Sequence, residues 1–200
     1  MRVKIIITII IVLIIALGIT HYLRSGGMRI NGDIPSEKTN LKGLVEVTRP
    51  YIEKYWGNRT YYVGKISMAL DENLEGKVEI WYKDEKKNEK GVPNIITVEY
   101  DTKERKIIRI VNQVRDSKIV PDILNVDKWN IDSNDAVNIA KNTFDKLNDF
   151  EFTVAHLSVN KLYNDGKEKW SVNLYNENNK KAYHLEIDVY TGEIYRNEIK

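Results

Sequence analysis

Cysteine is absent from the chain. That excludes disulfides, a zinc–thiolate site and a thiol nucleophile. Proline and histidine are scarce, at four and three residues, so there is neither a proline-rich spacer nor a histidine-rich metal tract. Neither sign of charge dominates: 31 Lys and Arg face 29 Asp and Glu. Two of the cations, Arg2 and Lys4, precede the first apolar run, and every acid follows it. The body after Ile5 is therefore neutral. Nonspecific nucleic-acid binding needs a cationic excess and is not expected. Glycine patterns of the Walker and dinucleotide types are missing, as is Gly-x-Ser-x-Gly, so no nucleotide or serine-hydrolase chemistry is implied. What is present is a foldable composition, 42% apolar and 30% charged, which rules out wholesale disorder.

Residues Ile5 to Ile19 read IIITIIIVLIIALGI, interrupted only by Thr8 and Gly18. With the flank to Leu23 the stretch approaches the roughly 20 residues that cross a bilayer core. The sequence predicts a transmembrane signal anchor over 1–23. Arg2 and Lys4 would keep the N-terminus cytoplasmic and place the C-terminal body outside, as a single-pass protein of the cell membrane. A cleaved signal peptide, with Ala16-Leu17-Gly18 as the small-x-small site, stays open as the rival reading. No cysteine follows, so a lipoprotein acylation site is excluded. Residues 24–40 hold three glycines, a proline and many polar residues, and read as a flexible tether.

The body contains weak self-similarity. Tyr61 to Met68 aligns with Phe152 to Val159, and Val98-Glu99-Tyr100-Asp101 with Leu185-Glu186-Ile187-Asp188. Ile107-Ile108-Arg109 aligns with Ile194-Tyr195-Arg196. Between them Val78, Ile80 and Tyr82 alternate as do Trp170, Val172 and Leu174. Upstream, Leu44, Val45, Ile52 and Tyr55 match Ala136, Val137, Phe144 and Leu147 in spacing. Three- and four-residue spacing gives a helix one buried stripe, and period two gives a strand one buried face. Each copy therefore reads as one helix followed by three strands, at 41–112 and 132–200, joined by 113–131. The expected fold class is α+β: an N-terminal transmembrane helix, then two tandem helix-on-antiparallel-sheet units. One continuous sheet is the alternative. Asp132 or Ser133 can cap the second helix, with Asp135 in its first turn. Pro50 predicts a kink or a break in the first helix.

Trp170 to Tyr175, a polar turn, and Tyr183-His184-Leu185-Glu186-Ile187-Asp188-Val189-Tyr190-Thr191-Gly192-Glu193-Ile194 resemble the PepSY domain. That family closes a strand with Asp-x-x-Thr-Gly-Glu/Lys-Ile/Val. The helix start Asp132-Ser133-Asn134-Asp135-Ala136-Val137 also looks like it. Thr191 and Gly192 are the structural turn, because a tight turn needs a residue tolerant of positive φ. Copy one reads Thr102-Lys103-Glu104-Arg105-Lys106 there and lacks the glycine, so the resemblance is weaker for 41–112. The whole layout resembles the TseB-type cell-wall elongation regulators of Gram-positive bacteria. The resemblance implies a PepSY/cystatin-like fold, no cofactor and a protein partner in the cell envelope, a penicillin-binding transpeptidase being one such partner. PepSY domains also occur in peptidase propeptides, which implies inhibition or chaperone-like regulation as the alternative.

Candidate site residues are few. No catalytic or cofactor-binding residue stands out. His184, Glu186 and Asp188 alternate along one strand and share a face, so a metal site, and behind it a metal-dependent hydrolase, is one reading. A solvated strand face opposite Leu185, Ile187 and Val189 is the plainer one. His156 reads as exposed. Asp84 and Glu85 read as a charged loop serving solubility. Asn58-Arg59-Thr60 fits a glycosylation sequon common by chance. Tyr51, Tyr55, Trp56, Tyr61 and Tyr62 cluster around the first helix and strand, as core or as partner anchors. Trp81 falls on the face opposite Ile80 and Tyr82. Trp81, Tyr61 and Tyr62 are the partner-binding candidates.

Overall fold

The structure, a computed structural model, describes residues 27–87, 91–113, 122–145, 151–159, 161, 166–176 and 180–199. Strand β1 (Gly27–Asp33) leads into helix α1 (Leu41–Trp56). Four strands follow: β2 (Tyr61–Asp71), β3 (Gly76–Lys87), β4 (Pro93–Asp101) and β5 (Lys106–Gln113). The second half repeats the order. Helix α2 (Ser133–Asp145) precedes β6 (Val154–Val159), β7 (Lys169–Asn176), β8 (Lys181–Asp188) and β9 (Ile194–Ile199).

Among the described residues the nine strands form one antiparallel sheet in the order β1-β5-β4-β3-β2-β6-β7-β8-β9. The expected fold class is corrected on two counts. The two copies are not separate units on separate sheets. Their first strands, β2 and β6, pair from Ile66↔Val159 to Asp71↔Val154. A free edge is a row of unpaired N–H and C=O groups, and pairing the two inner edges removes both. Each copy also carries four strands, because the segment after the Thr-Gly turn forms β9 and its counterpart β5. The second count is the anchor. Among the described residues no helix is long and apolar enough to cross a membrane. The expected span, 1–23, lies outside the described residues. The single-pass localisation is withdrawn with it. Within the expected tether, residues 27–33 form β1, which lies along β5, and Ile34 is buried. Polar composition does not prevent this, because a ladder is made by backbone groups.

Ser67 and Ser158, aligned in the repeat, face each other directly across the seam. The halves are thus related by a pseudo-twofold axis at that pair. Rows continue through it: Val78, Met68, Leu157, Val172 and Leu185 lie side by side. All five are buried. Both helices pack on this face. Thr48 of α1 bonds Tyr100 of β4, and Phe144 of α2 stacks on Tyr183 of β8 at 4.2 Å. The other face carries the row Arg109, Glu99, Glu79, Ser67, Ser158, Ser171, Glu186, Arg196. Glu99 and Arg109 approach to 2.6 Å, and their counterparts Glu186 and Arg196 to 3.9 Å.

The helices are joined at their N-termini. Asn40 caps α1 by accepting from Gly43 N–H at 3.0 Å. Asp132 N–H donates to Asp135 Oδ2 at 3.1 Å, and Ala136 N–H to Asp132 C=O at 2.9 Å, so α2 starts where expected. The Asp132 carboxylate itself turns to the other helix. Leu41 N–H donates to Oδ1 at 3.0 Å and Lys42 N–H to Oδ2 at 3.3 Å. These are orphan donors of the first turn of α1, at the positive end of its dipole. Pro50 is exposed and α1 runs unbroken through it. Its buried stripe Leu41, Leu44, Val45, Thr48 and Ile52 outweighs one missing donor.

The closing turn of copy two is built on Asp188. Its Oδ1 accepts from Tyr190 and Thr191 N–H at 2.8 and 2.9 Å, and its C=O from Gly192 N–H at 3.0 Å. Gly192 sits at φ 76°. In copy one the equivalent residue, Arg105, sits at φ 52°. The turn is kept without its glycine, at the steric expense of a side chain in the left-handed region.

Three substitutions test these contacts. Asp132→Ala strips Lys42 N–H of its acceptor and leaves Leu41 N–H with Ser133 Oγ alone, at 3.1 Å, and should lower the unfolding free energy by about 1–2 kcal/mol in urea melts. Gly192→Val should cost about 1–2 kcal/mol, since φ is positive and its Cβ would lie 3.3 Å from Ile131. Arg105→Gly, in contrast, should be neutral or stabilising by up to about 1 kcal/mol.

Candidate protein-binding groove

A groove opens on the helix side of copy one. Val45, Arg49 and Ile52 of α1 form one wall, and Tyr61, Tyr62 and Val63 at the start of β2 form the second. Tyr82 of β3 lies at the base. The third wall is the connector Ile123 to Lys128. The cavity is about 220 Å³, below the roughly 300 Å³ at which small-molecule and cofactor pockets begin. It is sized for a side chain rather than a cofactor.

The base is rigid and neutral. Tyr82 and Tyr100 hydroxyls lie 3.2 Å apart, and Tyr100 meets Thr48 Oγ1. Burial pushes the Tyr82 phenol up to about 12, and the Tyr100 phenol also rises through burial. Tyr61 donates to Gly57 C=O at 2.8 Å, with the Arg59 guanidinium over its ring. Burial raises its phenol despite that guanidinium. Arg59 is held by Asp84, 2.9 Å away. Asp84 is therefore not the solvated loop acid expected: it is 1% exposed, lies in β3 and also accepts from Lys86 N–H at 2.9 Å.

The connector wall is pinned from both sides. Leu124 N–H donates to Val63 C=O at 2.8 Å. On the other side Glu168, 5% exposed, gathers four groups. Trp129 Nε1–H donates at 2.5 Å, Tyr190 O–H at 2.8 Å and Asn125 N–H at 3.2 Å, and Lys161 Nζ lies at 2.8 Å. Burial alone would raise the Glu168 pKa. Lys161, Trp129, Tyr190 and Asn125 outweigh it and hold the carboxyl below its ordinary range. Trp129 then stacks edge-on against Trp170, 5.5 Å between centroids.

The expected partner-binding residues separate. Tyr61 and Tyr62 line the groove. Trp81 lies on the helix-free face, half-buried, with Lys65 Nζ 4.4 Å from its ring centroid and its Nε1–H donating to Glu79 at 2.6 Å. The three metal candidates are not brought together. His184 Nδ1 pairs with Asn173 Oδ1 at 2.9 Å, and its Nε2 is 3.8 Å from Glu186. Glu186 turns to Lys169 at 3.1 Å. The Asp188 carboxylate is engaged by its turn and by Tyr195 O–H at 2.8 Å. Burial would raise its pKa, and those donors lower it. Among the described residues no group of three metal-ligating side chains is assembled. His156 is exposed, edge-on to Tyr175. Arg49, Glu168 and the connector wall escaped the sequence reading. Glu168 follows Asp165-Gly166-Lys167 and reads as part of a charged hairpin turn.

Residues 130–196 match the PepSY family, the peptidase propeptide and YPEB domain. The matched stretch holds Asp132, Glu168 and the Asp188 to Gly192 turn. The chain is also similar to a crystal structure of a protein from Clostridium difficile 630 described as a candidate lipoprotein. The TM-score is 0.54 at 14% identity, over 82% of this chain and 94% of that one. At that identity the likeness is one of fold. No curated protein matches the chain.

Glu168 supplies a pH test. Its pKa is lower folded than unfolded, so its contribution is complete above the ordinary glutamate range and lost as pH falls through and below it. Glu168→Gln should remove about 2 kcal/mol at neutral pH. It should also flatten the loss of stability between about pH 5 and pH 3, read by denaturant melts.

Proposed function

We propose that the protein is a non-enzymatic regulatory module that acts outside the cytoplasm by binding a protein of the cell envelope. The propeptide-type family match over 130–196 supports regulation by binding rather than catalysis. The observation that carries the docking site is the groove: an apolar hollow with a neutral base, a wall pinned by Glu168 and room for one side chain. Tyr61, in its lining, is an anchor type favoured at interfaces, and the exposed Ile123 adds apolar surface to the same lining. In this reading the target is cell-wall elongation machinery, with a penicillin-binding transpeptidase as the partner. The two copies, 41–112 and 132–200, act as one body in this reading. A second reading, inhibition of a secreted peptidase, draws on the propeptide description of the matched family.

Photo-crosslinking from a probe at position 123 in living cells, with a second probe at position 81, tests the docking face. Capture of one envelope protein from position 123, reduced about tenfold or more by Tyr61→Ala, supports the groove. Capture from position 81 alone would move the interface to the Trp81 face and sink the groove. Loss of a secreted peptidase's activity on adding the protein would favour the inhibitor reading instead.

A further inference from the structure

The groove's rim is charged as well as its base apolar. Arg49 and Lys128 line it and are exposed, against one acid, Asp127. No ion pair engages Arg49, Lys128 or Asp127 among the described residues. Of the other charges near the groove, Arg59 is already neutralised by buried Asp84, and Glu53 acts on Tyr61 from outside the lining. Arg49 reaches the cavity: its field works against the burial that raises the Tyr82 phenol. Copy two repeats the placement, with Lys141 in the position of Arg49, lining a hollow with Phe152 and Thr153. There Glu72 and Glu151 join the lining, so the local field is no longer positive. Of these two hollows, only that of copy one is lined by more cations than acids.

We propose that the groove of copy one takes an acidic segment of the partner protein, with one large apolar side chain seated in the cavity and flanking carboxylates meeting Arg49 and Lys128. This rests on the groove being the docking site. The cavity volume sets the single side chain, because burying one Phe or Leu supplies about 1.5–3 kcal/mol of apolar transfer, tenfold or more in affinity. The rim sets the sign of the flanks, since complementary charge speeds encounter and rejects like-charged segments.

The test uses the full chain and three synthetic peptides, Gly-Asp-Phe-Glu-Gly, Gly-Lys-Phe-Lys-Gly and Gly-Asp-Ala-Glu-Gly, with binding read by isotope-edited NMR. The acidic Phe peptide should bind about tenfold or more tightly than the basic twin and than the Ala version. The Arg49→Glu, Lys128→Glu double variant, unchanged in melting temperature, should reverse the preference between the twins. Equal binding of the twins, a basic preference in the unaltered chain, or no binding by any peptide overturns the proposal. If a partner is still captured from position 123 in that case, the groove stands and its acidic specificity falls. If capture also fails, both fall.

Discussion

Pairing of β2 with β6 is the constraint on which the remaining architecture rests. Each copy of the repeat is a helix over a four-strand meander, and its first strand would otherwise offer a bare edge. Joined across Ser67 and Ser158, the two meanders share one ladder and one apolar face. The buried rows then run unbroken from β3 to β8. Both helices lie on that face, because the strand period puts most of the apolar side chains there. Their N-termini meet, and one carboxylate, Asp132, serves the orphan donors of α1 while its own backbone starts α2. Burying that carboxylate is acceptable because backbone donors and a helix dipole replace water.

The internal lock has a functional side. The connector between the copies could pass anywhere over the surface, and connections ordinarily do so loosely. Here Leu124 and Val126 are buried, and Glu168 fastens Asn125 and Trp129 from copy two. The wall of the copy-one groove is thus held by a residue of copy two. A groove whose wall is fixed beforehand spends less on ordering when a partner arrives. The duplication therefore matters for the site: one half supplies the hollow and the other holds it open.

Much of this was legible in the residues. The repeat, the two helical stripes, the period-two strands and the Asp188 to Gly192 turn all follow from local pattern, and local pattern is what sequence records most directly. The joining of the two copies into one sheet was not legible, because a strand's alternation names its buried face and not its neighbour. β1 was hidden in a polar, glycine-rich stretch whose contribution is backbone pairing. Asp84 read as solvated because its partner, Arg59, is 25 residues away and meets it only across the β2–β3 pair. Glu168 failed for the same reason: its partners come from the connector, the β6–β7 link and the closing turn. Of the groove, Tyr61 and Tyr62 were picked out as aromatics, but Arg49 is one exposed cation among many until the fold sets it over a hollow.

Among the described residues β1 has no counterpart in copy two, and the two outer margins of the sheet are dissimilar. One margin ends in β1, whose ladder is offset by a bulge between Arg29 and Gly32. The other ends in β9, which sets Arg196 and Glu198 side by side in alternate positions, 2.7 Å apart. A perfectly twofold protein would present identical rims, each a template for the next molecule. With a kinked rim on one side and a salt-laced rim on the other, end-to-end growth of molecule upon molecule is disfavoured, and the duplicated ribbon stays finite.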